Sequence, residues 1–114
     1  MNNLMKVSNA TEYIANASVS QVLSGINNMV NAYKEYKIAD TMEATKRAAI
    51  REQARIEISA LQEATKRELH RIDGKVDVSL ECINSLNNIL QMRDVLDDNM
   101  MKVCVELIHG ATAW

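Results

Sequence analysis

Ten positions between Ile50 and Ile83 set the terms for any fold this chain can take. Ile50, Ala54, Ile58, Leu61, Thr65, Leu69, Ile72, Val76, Leu80 and Ile83 are separated by steps of 4, 4 and 3, three times over, and only Thr65 among them is polar. An eleven-residue repeat of this kind averages about 3.67 residues per turn, so it keeps one face of a nearly straight α-helix apolar. A strand would need alternation with a period of two, which the stretch lacks. Interruptions are scarce: the 114 residues contain no proline, and Gly25, Gly74 and Gly110 are the only glycines. With no Phe, one Trp and three Tyr, the aromatic residues that all-β interiors draw on are also missing. The chain reads as a single all-α domain over residues 1–114.

A different spacing precedes this repeat. Ala15, Val19, Val22, Ile26, Met29, Tyr33 and Tyr36 follow steps of 4, 3, 4, 3, 4 and 3, the heptad pattern that keeps a seam facing a partner helix. Ser8 and Asn9 ahead of Glu12 resemble a capping box, which places a heptad helix over about residues 10–36. A long helix then carries the eleven-residue repeat over about 37–96. The phase passes Asp73-Gly74 unchanged, which favours continuity there over a hairpin. From Asn84 the repeat fails, and a new stripe of Leu86, Ile89, Met92, Leu96, Met100, Val103 and Leu107 takes over. Asp98 or Asn99 is placed to cap a last short helix over about 99–109, with Gly110 just past its end.

A helix over 37–96 would measure roughly 90 Å at about 1.5 Å per residue, too long to bury its own seam in a compact domain. The expected architecture is therefore an antiparallel hairpin or coiled-coil-like bundle of long helices that is oligomeric. Its interface between copies is expected to be Val22, Ile26, Met29, Tyr33, Ile58, Leu61, Leu69, Ile72, Val76, Leu80 and Ile83.

Thirteen basic residues against fifteen acidic ones give a net charge of -2, which disfavours nucleic acid as a partner. The charge is uneven: ten basic and eight acidic residues lie in 34–75, two basic and six acidic in 76–114. Arg47, Arg51 and Arg55 lie four apart on one helical face, the geometry of a phosphate-contacting ridge. The same face reads equally as a solvated surface with supporting Glu-to-Arg pairs, on which a change at Arg51 should leave stability unaltered. No aromatic side chains interleave with the arginines to stack bases.

Site chemistry is sparse. His70, Cys82, Cys104 and His109 make no zinc spacing, and the two cysteines read as inert apolar residues 22 positions apart on one face. No glycine-rich phosphate loop, nucleophile elbow or Glu-x-x-His set occurs. No catalytic residue, metal site or cofactor is expected, and the chain does not read as an enzyme. The N-terminal residues carry no apolar run of signal-peptide length and nothing is long enough to span a bilayer, so no membrane association and a cytoplasmic location are expected.

The stretch Tyr33-Lys-Glu-Tyr-Lys-Ile-Ala-Asp-Thr-Met-Glu-Ala-Thr-Lys-Arg-Ala-Ala-Ile-Arg51, followed by Ile56-Glu-Ile-Ser-Ala-Leu61, resembles small all-helical proteins of bacteria and their phages or mobile elements that have no established activity. The resemblance implies a bacterial or phage source and a long-helix fold, and transfers no functional residue. The functional expectation is a non-enzymatic assembly protein that pairs with itself and with another protein, in a setting such as a mobile-element factor modulating a host protein. The alternative is a nucleic-acid-associated helical protein using the Arg47, Arg51, Arg55 ridge.

Overall fold

Neither of the two long helices expected from the spacing survives intact, and the breaks at 17–18, after Ile38 and after Leu90 are made without glycine or proline. The computed structural model describes residues 10–40, 42–68 and 75–112, with the side chains of 75–78 outside that description. The described residues form five helices and no strand: α1 (Ala10–Asn16), α2 (Val19–Ile38), α3 (Ala44–Glu68), α4 (Lys75–Leu90) and α5 (Asp98–Thr112). The all-α class is as expected.

The heptad segment begins at Ala10 but divides at Ala17-Ser18. Ser18 is extended, with φ -76° and ψ 162°. Its Oγ accepts from the Gln21 backbone N–H at 3.1 Å, and Gln21 Oε1 accepts from the Ser18 N–H at 2.8 Å. That reciprocal capping box starts α2. A four-residue step from Ala15 to Val19 is compatible with one helix or two, so periodicity gave no warning of the break.

The helix expected over 37–96 is not one helix. α2 runs on to Ile38 and stops at Ala39, whose N–H donates to Glu35 O at 3.0 Å. Asp40 follows with φ 53°, the left-handed conformation that usually goes to glycine after a helix end and that aspartate tolerates better than most residues. A straight helix from Ala44 to Leu90 would extend about 70 Å, against a molecule measuring 42 × 26 × 22 Å. α3 and α4 are therefore not one straight helix, and residues 69–74, Gly74 among them, lie outside the described residues. After Leu90 the chain turns again: the Met92 N–H donates to Ile89 O at 2.9 Å and the Leu96 N–H to Met92 O at 3.2 Å. Asp97, not Asp98 or Asn99, caps α5, its Oδ1 accepting from the Met100 N–H at 2.8 Å. α5 continues through Gly110 to Thr112 instead of ending before it.

α3 is the central strut: α1, α2 and α5 pack on it, and α4 packs on α2 and α5. The first half of the eleven-residue seam, Ile50, Ala54, Ile58, Leu61 and Thr65, is buried. Thr65, its polar member, donates its hydroxyl to Gln62 O at 3.0 Å. These side chains share one core with Val22, Ile26 and Met29 of α2, Cys82, Leu86 and Ile89 of α4, Met92 and Val95 of the turn, and Cys104 of α5. In α4 the seam shifts register: Cys82, Leu86 and Ile89 face inward, whereas Leu80 is 55% exposed and Ile83 half-buried. The stripe expected from Leu86 thus begins at Cys82. A radius of gyration of 13.8 Å is close to the roughly 13 Å of a compact domain of this length. No described helix is long and apolar enough to cross a membrane.

Candidate functional site

Two polar clusters tie distant segments together, and both were missed by sequence reading. The first surrounds Glu57, which is 1% exposed near the middle of α3. Helical spacing puts it seven residues from Ile50, three from Ala54 and four from Leu61, inside the arc those residues bury. Its Oε1 accepts from the Tyr13 hydroxyl of α1 at 2.5 Å, and its Oε2 accepts from Gln53 Nε2 at 2.7 Å. From α2 comes Gly25, where a Cβ would stand 2.5 Å from Oε2. A glycine in the middle of an apolar helix face opposite an acidic residue in the apolar face of its neighbour was the available signal. Burial pushes the Glu57 carboxyl above the ordinary range, more than its two hydrogen bonds pull it down. Burial, with the carboxylate beside it, likewise pushes the Tyr13 hydroxyl up.

The second cluster gathers at Asp94, in the turn between α4 and α5. Tyr33, in the second-last turn of α2, donates its hydroxyl to Oδ1 at 2.5 Å, and Lys37 Nζ donates to Oδ2 at 3.0 Å. Arg47 of α3 adds an ion pair to Oδ2 at 3.5 Å and donates to the Asp94 backbone O at 2.8 Å. Arg51, one turn along, donates its Nε to Val95 O at 2.6 Å. Partial burial pushes the Asp94 carboxyl up, but hydrogen bonds from Tyr33 and Lys37, together with the Lys37 charge, outweigh it and hold the group below the usual range. Tyr33 is pushed up to about 12 by burial and by that carboxylate.

The arginine ridge is accordingly put to use within the chain. Arg47 and Arg51 fasten α3 to the α4–α5 turn, and Arg55 pairs with Glu52 one turn back through two hydrogen bonds. Arg55 holds Glu52 below the ordinary carboxylate range. Arg55 is the exposed, carboxylate-paired side chain that a solvated face implies, whereas Arg47 and Arg51 reach across to the α4–α5 turn.

The residues expected at an interface between copies fall into three groups. Val22, Ile26, Met29, Ile58 and Leu61 are buried in the chain's own core, because α2 and α3 cover each other. Tyr33 is half-buried and bound to Asp94. Leu80 and Ile83 stay at the surface. Leu69, Ile72 and the side chain of Val76 lie outside the described residues.

Cys82 and Cys104 sit on two different helices yet enter the same core, and burial pushes their thiols up to about 11 and about 12. His109 lies in the last turn of α5, a favourable place for a cation. Among the described residues no three His, Cys, Asp or Glu side chains converge as a metal site. Two shallow grooves flank α3 and share Ser59 and Gln62: one is walled by Thr11, Ile14 and Ala15 of α1, the other by Asn99, Met100 and Val103 of α5. Comparison of the chain with protein-family models, with curated proteins and with solved structures gives no match.

Proposed function

We propose that this chain is a non-enzymatic helical interaction protein that self-associates and binds a protein partner. The observation that carries the proposal is the outer side of the α4–α5 pair. Leu80 is 55% exposed and Val105 41% exposed, on two helices that pack against each other. Ile83 follows Leu80 by three residues, and Met101 and Ile108 stand four before and three after Val105; all three are half-buried. One exposed leucine is ordinary. Exposed Leu80 and Val105 on adjoining helices, flanked at helical spacing by half-buried Ile83 and by Met101 and Ile108 at the edge of the core, favour an interaction edge. In this reading α4 and α5, joined by residues 91–97, act as an antiparallel hairpin of the bundle and meet the same pair of a second copy.

The resemblance of residues 33–61 to small helical proteins of bacteria and phages favours a mobile-element setting, in which the partner is a host protein. The nucleic-acid alternative has less support, since Arg47 and Arg51 are held by oxygen atoms of Asp94 and Val95. Sedimentation of the purified protein at tens of micromolar tests self-association. A species at least twice the monomer mass, reduced to monomer by Leu80→Asp with Val105→Asp at unchanged helical circular dichroism, supports the reading. A wild-type monomer at every concentration refutes it.

A further inference from the structure

We propose that α1 is a latch whose docking on α3 is coupled to a proton on Glu57, so that loss of the proton opens it. α1 is a seven-residue helix, too short to be stable alone. It packs on α3 and joins the body through the non-helical pair Ala17-Ser18. Three kinds of contact hold it. The Tyr13 hydroxyl reaches Glu57, Arg67 donates to Ile14 O at 3.5 Å and to Ala17 O in the hinge at 2.6 Å, and Glu68 accepts from the Val19 N–H at the start of α2 at 3.0 Å. The side chain by which α1 reaches into the bundle thus ends on a carboxylate that α1 itself helps to bury.

The described groups around that carboxylate carry no compensating charge. From α1 it meets Tyr13, while Glu12 is exposed. α2 presents Gly25, and its first titratable residue is Tyr33, eight positions further on. On α3 the neighbours along the helix are Gln53, Ala54, Ala60 and Leu61. Glu52 and Arg55 pair with each other at the surface. Arg67 and Glu68 lie ten and eleven residues beyond Glu57, about 15 Å along the helix. α5 meets α3 through Met100 and Val103 beside Ile58, Ser59 and Gln62. With no cation at hand among the described residues, an ionised Glu57 gains water when α1 lifts, whereas a protonated one loses only hydrogen bonds that water replaces.

The sign follows from linkage. The closed state holds the proton more tightly than the open one, so closure is strongest below the ordinary carboxylate value and weakens as pH rises through the raised one. Within that window the opening equilibrium grows by up to about tenfold per pH unit. Hydrogen exchange of the full chain, corrected for the intrinsic pH dependence, reads this in the amides of α1 against those of α2. Wild-type α1 should lose protection relative to α2 between pH 4 and pH 8. Glu57→Gln should keep α1 protected across the range. Tyr13→Phe supplies a second arm: it lowers protection at every pH yet keeps the slope, because the buried carboxylate remains. Parallel behaviour of α1 and α2 in the wild type, or a wild-type slope in Glu57→Gln, overturns the proposal.

Discussion

One chemical change made at two glycines should have opposite effects. At Gly110, within α5, a Cβ meets nothing within 4 Å. Alanine there restricts the unfolded chain and suits the helix, so Gly110→Ala should stabilise by about 0.5 kcal/mol, the low end of the helix-interior range because the helix ends at Thr112. The same gain of roughly 0.5 to 1 kcal/mol applies at Gly25 in the middle of α2. There, however, the new Cβ would stand 2.5 Å from Glu57 Oε2 and 2.9 Å from Cδ and Oε1. A glutamate tip at the surface would swing away. This one is held at both oxygens by Tyr13 and Gln53, and moving it leaves buried polar groups unpaired at a cost of about 1 to 3 kcal/mol each. Gly25→Ala should therefore destabilise by about 1 to 3 kcal/mol net. Removing the carboxylate reverses the sign: in a Glu57→Ala background, Gly25→Ala should stabilise. Urea unfolding of the four proteins completes the cycle, with a coupling of about 2 kcal/mol or more expected. Stabilisation by Gly25→Ala in the wild-type background, or a coupling near zero, would show that Glu57 does not rest against α2.

Three further outcomes follow from the same contacts. Because burial raises the Glu57 carboxyl in the folded state, its contribution to stability is full below the ordinary carboxylate value and lost as pH rises; thermal melts should show Glu57→Gln gaining on the wild type between pH 4 and pH 7, and a constant difference would contradict this. Arg51→Glu removes the donor to Val95 O and sets a carboxylate beside that carbonyl, so it should destabilise by about 1 to 2 kcal/mol; chemical denaturation indistinguishable from wild type would restore the solvated-face interpretation. Cys82 and Cys104, with thiols pushed up to about 11 and about 12, should react with a disulfide reagent only as fast as the protein unfolds, and rapid labelling of the native state would mean that the core is open.

Where packing followed a local period, the sequence was readable. Ile50, Ala54, Ile58, Leu61 and Thr65 are buried in the expected order, as are Val22, Ile26 and Met29, because a helical face must be covered by something. What covers it was not readable. The same pattern serves a helix of the same chain or of another, and α2 on α3 proved to be the former. Helix ends escaped notice at Ser18 and at the left-handed Asp40, whereas the start of α5 was expected within a residue or two of its Asp97 cap. The unbroken spacing into Leu80 and Ile83 was coincidence, since any apolar residue can extend a count while facing outward. The arginine partners were out of reach for another reason: Arg47 and Arg51 find their oxygens 47 and 44 residues away, and no local spacing encodes that. Glu57 was legible in principle, from its position inside an apolar arc.

The fastening at Asp94 also bears on the order in which the chain folds. It joins residues separated by 61, 57 and 47 positions, so each bond closes a loop comprising a large fraction of the chain. Loop entropy makes such contacts unfavourable until most of the structure is in place. The α4–α5 pair, by contrast, is closed by the seven residues 91–97 and can form locally. Substitutions at Lys37 and Arg47 should then speed unfolding and leave the folding rate nearly unchanged, while substitutions of Leu86 or Ile89 should slow folding. Asp94 sets how long the native state lasts, not how quickly it is reached.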